Sequence, residues 1–464
     1  MVSTLASGQT LSEASISDLR AQLRGDALVP GDDRYDEART LWNAMIDRKP
    51  AVIAHCTGVA DVLDALAFAR DNDLPVAVRA GGHNVAGTAL CDGGLVIDLT
   101  RMKGIRIDPA ARRARVDGGV TWGELDREAQ VFGLATTGGV IPSTGITGLT
   151  LGGGLGWLMR KHGLSCDNLL SADLVTADGR LVSASADENP DLFWGLRGGG
   201  GNFGVVTSME FQLHEVGPNL VAGPLFFPRE QGRDVFRFAR DRAAGQPDEL
   251  ICHLGVVTTP DGAQLSAMIP VYAGPIPDGE RAIEPLRQFG PPAADMNGPI
   301  PYRALQSMFD AAYPEGRRNY WKSAFIDELA DDMIDLLVER YASAPSPYAT
   351  FFLEQCGGAV NRVGAGDTAF PHRNAAYNFL ITTAWDDPAG DARNIDWVRS
   401  VWNDLTPYLD RGVYVNYLGE RGLEGEDRVR AAYGPNYERL AALKREYDPE
   451  NRFHSNHNID PATV

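Results

Sequence analysis

Apolar residues along this chain change their period several times. From Val59 to Asp71 they fall at Val62, Leu63, Leu66, Ala67 and Ala69, which predicts a helix with one face on a core. Short apolar runs predict strands at Ala51–Ala54, Leu74–Val78, Gly94–Leu99, Arg113–Asp117 and Val205–Phe211. Ser12–Leu28 is expected to be helical, and Thr121 with Glu124 three residues on predicts a capping box. Beyond Pro224 strands at Ile251–Thr258, Ala263–Val271, Thr350–Glu354, Ala376–Trp385 and Gly412–Leu418 are mixed with helices at Asp278–Phe289, Asp331–Ser343, Trp397–Leu409 and Tyr433–Lys444. The pattern predicts an α+β chain in which this later part is a second domain.

Glycine interrupts the pattern in three places. The strand ending at Val78 runs into Arg79-Ala80-Gly81-Gly82-His83-Asn84-Val85-Ala86-Gly87. Glycine allows close backbone approach, and successive turn amides can form a concave anion-binding nest. His83 is then either a structural residue in a tight turn or a group held against whatever the nest grips. Gly138–Gly156 is richer in glycine still, but Ile141, Ile146, Leu149, Leu151, Leu155 and Trp157 are interleaved. A mobile linker has little use for them, whereas a loop around a large, partly apolar ligand does. Gly199, Gly201 and Gly204 spell a formal GxGxxG, but a strand is expected to follow, where a dinucleotide fingerprint needs a helix.

Composition narrows the classes. The 464 residues suggest two or three domains, and a formal net charge of −19 argues against a nucleic-acid partner. The five cysteines are scattered and odd in number, which argues against a disulfide framework or a zinc site, and the pair His454/His457 has no evident third ligand. There is no signal-peptide core near the N-terminus and no membrane-length apolar run. A soluble, cytoplasmic protein, monomer or homodimer, is expected.

Together Arg79–Gly87, Gly145–Gly156, Gly163–Asn168, Leu192–Val206, Phe370–Arg373, Tyr414–Tyr417 and Tyr447–Phe453 resemble the berberine bridge enzyme-like flavoproteins of the vanillyl-alcohol oxidase superfamily, its bacterial members above all. The resemblance runs from about Ala51 to Pro461. It implies an α+β fold: a two-part PCMH-type FAD-binding domain (1–216, completed by 419–464) and a substrate domain (217–418) with an antiparallel sheet flanked by helices. It implies FAD bonded covalently through His83 and held by Arg79, Ala80, Gly81, Gly82, Asn84 and Gly87. Thr144, Gly145, Thr147, Gly148, Gly152, Gly153, Gly156 and Trp157 would form a second cofactor segment. Asp167, Asn168, Gly201, Asn202, Val206, Asn416, Asn456 and Asn458 complete the expected contacts.

The same resemblance puts Glu354, Asn378 and Tyr417 on the substrate side. Hydride loss to a flavin needs a base for the accompanying proton. Either Glu354 or Tyr417 could serve, and on a strand Tyr417 would share a face with Val415, opposite Tyr414 and Asn416. The expected partners are a small alcohol, hemiacetal or sugar, phenol or amine, and molecular oxygen, with hydrogen peroxide as product. Oxidative cyclisation in secondary metabolism, or flavin binding without turnover, are the alternatives. Thr144 falls where the family gates oxygen. Ile141 falls where doubly linked relatives carry a cysteine, so a single link is expected. Tyr302, Tyr313, Tyr320, Trp321 and Phe325 are candidates for the substrate pocket.

Overall fold

A computed structural model describes residues 11–409, 412–419 and 426–463. Among the described residues three sheets of four or more strands carry the fold, beside a two-stranded pair. The first has the order Asp26–Leu28, Val52–His55, Leu95–Asp98, Val76–Arg79, its last three strands parallel. The amphipathic helix Val59–Asp71 makes the crossover and buries Val62, Ala65, Leu66 and Ala69. The second sheet is antiparallel: Ile105–Asp108, Arg113–Asp117, Val205–Gln212, Leu169–Val175, Leu181–Ser185. The strand expected after Gly204 is there, and the capping box at Thr121 forms, with Thr121 N donating to Glu124 Oε2 at 2.8 Å.

The third sheet has nine strands. Its central order is Leu225–Pro228, Gln264–Tyr272, Leu250–Thr258, Thr350–Gln355, Tyr377–Trp385, Arg318–Ile326, antiparallel throughout. The helices Gly232–Arg242, Asp331–Tyr341 and Asp391–Leu405 cover one face. The C-terminal chain returns to the N-terminal half: Val429, Tyr433, Leu440 and Ile459 share one core with Val116, Trp122, Phe203 and Phe211.

Two expected elements are corrected. The first helix spans Glu13–Gln22, and Asp26–Leu28 is a strand. The Asp61 carboxylate accepts from Arg24 N and Gly25 N and draws the chain onto His55, where a Cβ at Gly25 would lie 1.7 Å from His55 O. The described part of 412–418 is not a strand but irregular chain with a 3₁₀ turn at Val415–Tyr417. Its polar side chains bond the glycine segment instead of a ladder. Tyr414 Oη accepts from Gly154 N and Leu155 N, and Asn416 Nδ2 donates to Leu149 O. The turn puts Tyr414 and Tyr417, three residues apart, side by side, with ring centroids 4.8 Å apart.

Candidate active site

One deep cleft runs between the glycine segments, the free face of the large sheet and the C-terminal chain. Ala80, Gly81, Gly82, His83 and Asn84 form part of its wall, facing Thr144, Gly145, Thr147 and Gly148. These segments meet backbone to backbone: a Cβ on Gly81 would lie 2.3 Å from Gly145 N, and one on Gly145 would lie 2.6 Å from Gly81 N. No other residue type permits that approach. Gly201, Asn202, Val206, Asn416 and Asn456 also line the cleft.

The other expected cofactor residues stand behind this wall. Arg79 donates to Ala38 O at 2.6 Å, and Gly87 packs on Ile46. Gly152 makes room for Asn416, Gly153 for Phe370 and Gly156 for the carbonyl of Gly138. Trp157 packs against His253, and Asp167 takes both nitrogens of buried Arg373 at 2.7 and 2.8 Å. Asn168 donates to His162 O and Leu164 O, and Asn458 is buried. These residues shape the wall without lining it.

At one end of the cleft the register of the large sheet sets the chemistry. Glu354 lies directly opposite Asn378, and Phe325 lies on the far side of Asn378. Side chains alternate along a strand, so Trp321 joins Glu354 and Asn378 on the cleft face while Tyr320 points into the opposite core. Of the five aromatic candidates, Tyr313 and Trp321 line the cleft. Phe325 stacks on His372 and Tyr302 is buried in the wall behind, so these two and Tyr320 are corrected.

Glu354 accepts from Asn378 Nδ2 at 2.6 Å and from Tyr417 Oη at 3.1 Å. Burial pushes its carboxyl up to about 7, against the pull of these two bonds. Burial, then the neighbouring Glu354 charge, hold the Tyr417 hydroxyl well above its ordinary range. In this pair Tyr417 is the donor and Glu354 the acceptor. His83 is tied to this end through aromatic contacts. Its ring stacks on Trp42 (5.4 Å, 22°), Trp42 meets Trp321 (5.5 Å), and Trp321 meets Tyr417 (5.6 Å). Burial lowers His83 to about 4, so its imidazole is neutral. Sequence periodicity gave no sign of Trp42, which sits in an irregular loop between elements.

The cleft fits a flavin dinucleotide. Among the described residues lining it there is no lysine or arginine, so phosphates would be held by loop amides, as in a nest. His457 Nε2 and Asn456 Oδ1 are buried without a protein partner on the cleft wall, leaving hydrogen-bonding capacity for a polar ligand. A Cβ at Gly148 or Gly201 would meet nothing within 4 Å. All five cysteines are buried, free and absent from the lining. No three His, Cys, Asp or Glu side chains among the described residues group as metal ligands, and no described helix is long and apolar enough to cross a membrane.

Residues 50–185 match the family described as FAD binding domain, and residues 413–460 match the family described as berberine and berberine like. The chain is 34% identical to (R)-6-hydroxynicotine oxidase of Paenarthrobacter nicotinovorans, covering 95% of this chain and 97% of that protein. It is 32% identical to an FAD-linked oxidoreductase of Dictyostelium discoideum, over 96% and 97%. The crystal structure of 6-hydroxy-D-nicotine oxidase from Arthrobacter nicotinovorans superposes with a TM-score of 0.87 at 32% identity, over 95% and 98%. Identity above 30% over nearly the whole of both chains, with the two matching family domains, shows that this chain belongs to the berberine bridge enzyme-like FAD-linked oxidoreductases.

Proposed function

We propose that the protein is an oxidase that removes a hydride from a small organic substrate, an alcohol, hemiacetal, phenol or amine, and returns the electrons to molecular oxygen as hydrogen peroxide. The buried Glu354 carboxyl, which lines the cleft with Tyr417 and is bonded by Tyr417 and by the fully buried Asn378, carries this reading. FAD, when bound, supplies the hydride acceptor. Ionised Glu354 takes the proton of the substrate O–H or N–H. Tyr417 and Asn378 donate to its two oxygens, favour the carboxylate and aim its free lone pairs. Trp42, Tyr313, Trp321 and Tyr417 wall this end with aromatic surface, which excludes water and favours a compact, ring-bearing substrate over an extended sugar chain. Residues 1–216 with 419–464 serve the cofactor in this reading, and 217–418 serve the substrate. Anaerobic bleaching of the flavin across a panel of alcohols, sugars, phenols and amines tests the reading. A panel that reduces nothing sinks it and favours a flavin-binding protein without turnover.

His83 makes the single covalent link to the flavin in this reading. No cysteine lines the cleft, and Cys166 lies fully buried beside Asp167 and Arg373. Acid-precipitated protein should stay yellow, His83→Ala should release all its flavin, and Cys166→Ser should leave attachment unchanged. A flavin–peptide mass carrying Cys166 would refute the single link.

Thr144 lines the cleft next to His83, its hydroxyl 3.5 Å from Nδ1, and is the oxygen gate in this reading. Thr144→Leu adds bulk to that wall. Reoxidation in air should slow by about tenfold, the effect of roughly 1.4 kcal/mol of added barrier. Stopped-flow rates equal to wild type would remove Thr144 from the oxygen path.

A further inference from the structure

The two ring nitrogens of His83 have different surroundings. Nε2 lies 2.8 Å from Ser143 Oγ, while among the described residues Nδ1 has only Thr144 Oγ1, at 3.5 Å. The first is a full hydrogen bond and the second is at the limit of one. Ser143 is exposed and does not line the cleft, whereas Thr144 does. The ring plane is fixed independently. Trp42 stacks on it, and Trp42 Nε1 donates to Tyr313 O at 3.2 Å. The next residue, Asn43, donates to Val85 O in the His83 loop and to Asn319 O at the head of the Trp321 strand. The imidazole is thus oriented with one nitrogen toward a water-facing hydroxyl and the other toward the cleft.

We propose that Ser143 is a positioning residue for flavin attachment: it accepts a hydrogen bond from His83 Nε2–H, leaves the lone pair on Nδ1, and passes the Nε2 proton to water as the link forms. The proposal rests on the reading that His83 carries the flavin. A hydrogen bond at one imidazole nitrogen sets the tautomer and hence which nitrogen is nucleophilic. The new bond joins Nδ1 to the flavin 8α-carbon. One proton leaves that carbon, and the electron pair of its broken C–H bond reduces the ring. A second proton leaves the imidazole from Nε2, so the ring ends two electrons and two protons richer once it has taken up protons from water. Molecular oxygen accepts both electrons and both protons as hydrogen peroxide. The neutral imidazole needs no deprotonation before attack, since burial keeps His83 uncharged well below neutral pH.

The test uses the full-length chain produced under riboflavin limitation and mixed with FAD. Non-covalent uptake is followed by quenching of flavin fluorescence, and linkage by the flavin that stays with acid-precipitated protein. Ser143→Ala should take up FAD normally but link it about five- to tenfold more slowly, the size expected of one lost hydrogen bond. Ser143→Thr should restore the rate. In [15N]histidine-labelled chain without FAD, the resonances lost in His83→Ala should show the proton on Nε2 in wild type and a tautomer mixture in Ser143→Ala. Linkage at the wild-type rate in Ser143→Ala, failure of that variant to take up FAD, no rescue by threonine, or a wild-type proton on Nδ1 would each overturn the role of Ser143 while His83 kept its link. A wild-type chain with no covalent flavin, or with flavin on another residue, would remove the underlying reading and this role together.

Discussion

Glu354→Gln should slow flavin reduction by substrate by about 10²–10⁴-fold, the range that a positioned general base contributes. Glutamine keeps the shape of the side chain: its amide oxygen can accept from Asn378 Nδ2 while its amide nitrogen donates to the Tyr417 hydroxyl oxygen, so the pocket survives and only the base is lost. The pH profile gives the sharper evidence. Burial raises the Glu354 carboxyl to about 7, so below that pH it is protonated and cannot accept a proton. The wild-type rate should therefore rise with pH through about 7 and level off, and the glutamine variant should lose that step. Tyr417→Phe removes the donor to Oε1 without removing the base. Its rate should fall less, and its midpoint should move up because the carboxylate loses a stabilising bond. Stopped-flow bleaching from pH 5 to 9 measures all three. If Glu354→Gln reduced its flavin at the wild-type rate while Tyr417→Phe was inert, the base would be the tyrosine.

Glu354 and Asn378 came from the family resemblance; strand signals in the sequence placed both on strands, and register sets them face to face. The glycine segments were legible as ordered chain because interleaved apolar residues are useless to a linker, and parts of them line the cleft. Their mutual contact was not, since the approach of Gly81 to Gly145 joins two distant stretches and leaves no periodic trace. The Tyr414–Tyr417 segment was misread as a strand for a related reason. Its valine and tyrosines favour a strand, but Tyr414 and Asn416 spend their polar atoms on Gly154, Leu155 and Leu149. Trp42 and Ser143 show the same limit. Each touches His83, which lies far away in sequence and near in space.

Lys444 is the plainest case of a residue that periodicity marks only as helical. It lies on Tyr437–Tyr447 with no exposed side-chain surface, paired at 2.6 Å with an equally buried Asp448. Its three ammonium hydrogens are all used, on Asp448 Oδ2, Asn202 O at 2.9 Å and Phe453 O at 3.0 Å. Asp448 in turn accepts from Arg452 N and Phe453 N, which folds the C-terminal tail back. Asn202 and Phe453 both line the cleft, so this one ammonium fastens the tail to the last glycine loop of the cofactor wall. Lys444→Met keeps the alkyl stem but leaves a buried carboxylate uncompensated, and should cost about 3–5 kcal/mol of stability. Adding Asp448→Asn to it removes the stranded charge while keeping an acceptor for the tail amides, and should recover part of that loss. Chemical denaturation of the wild type, the single variants and the double variant measures the coupling. A loss below about 1 kcal/mol for Lys444→Met, the scale of a solvent-exposed ion pair, would show that the pair does not hold the tail.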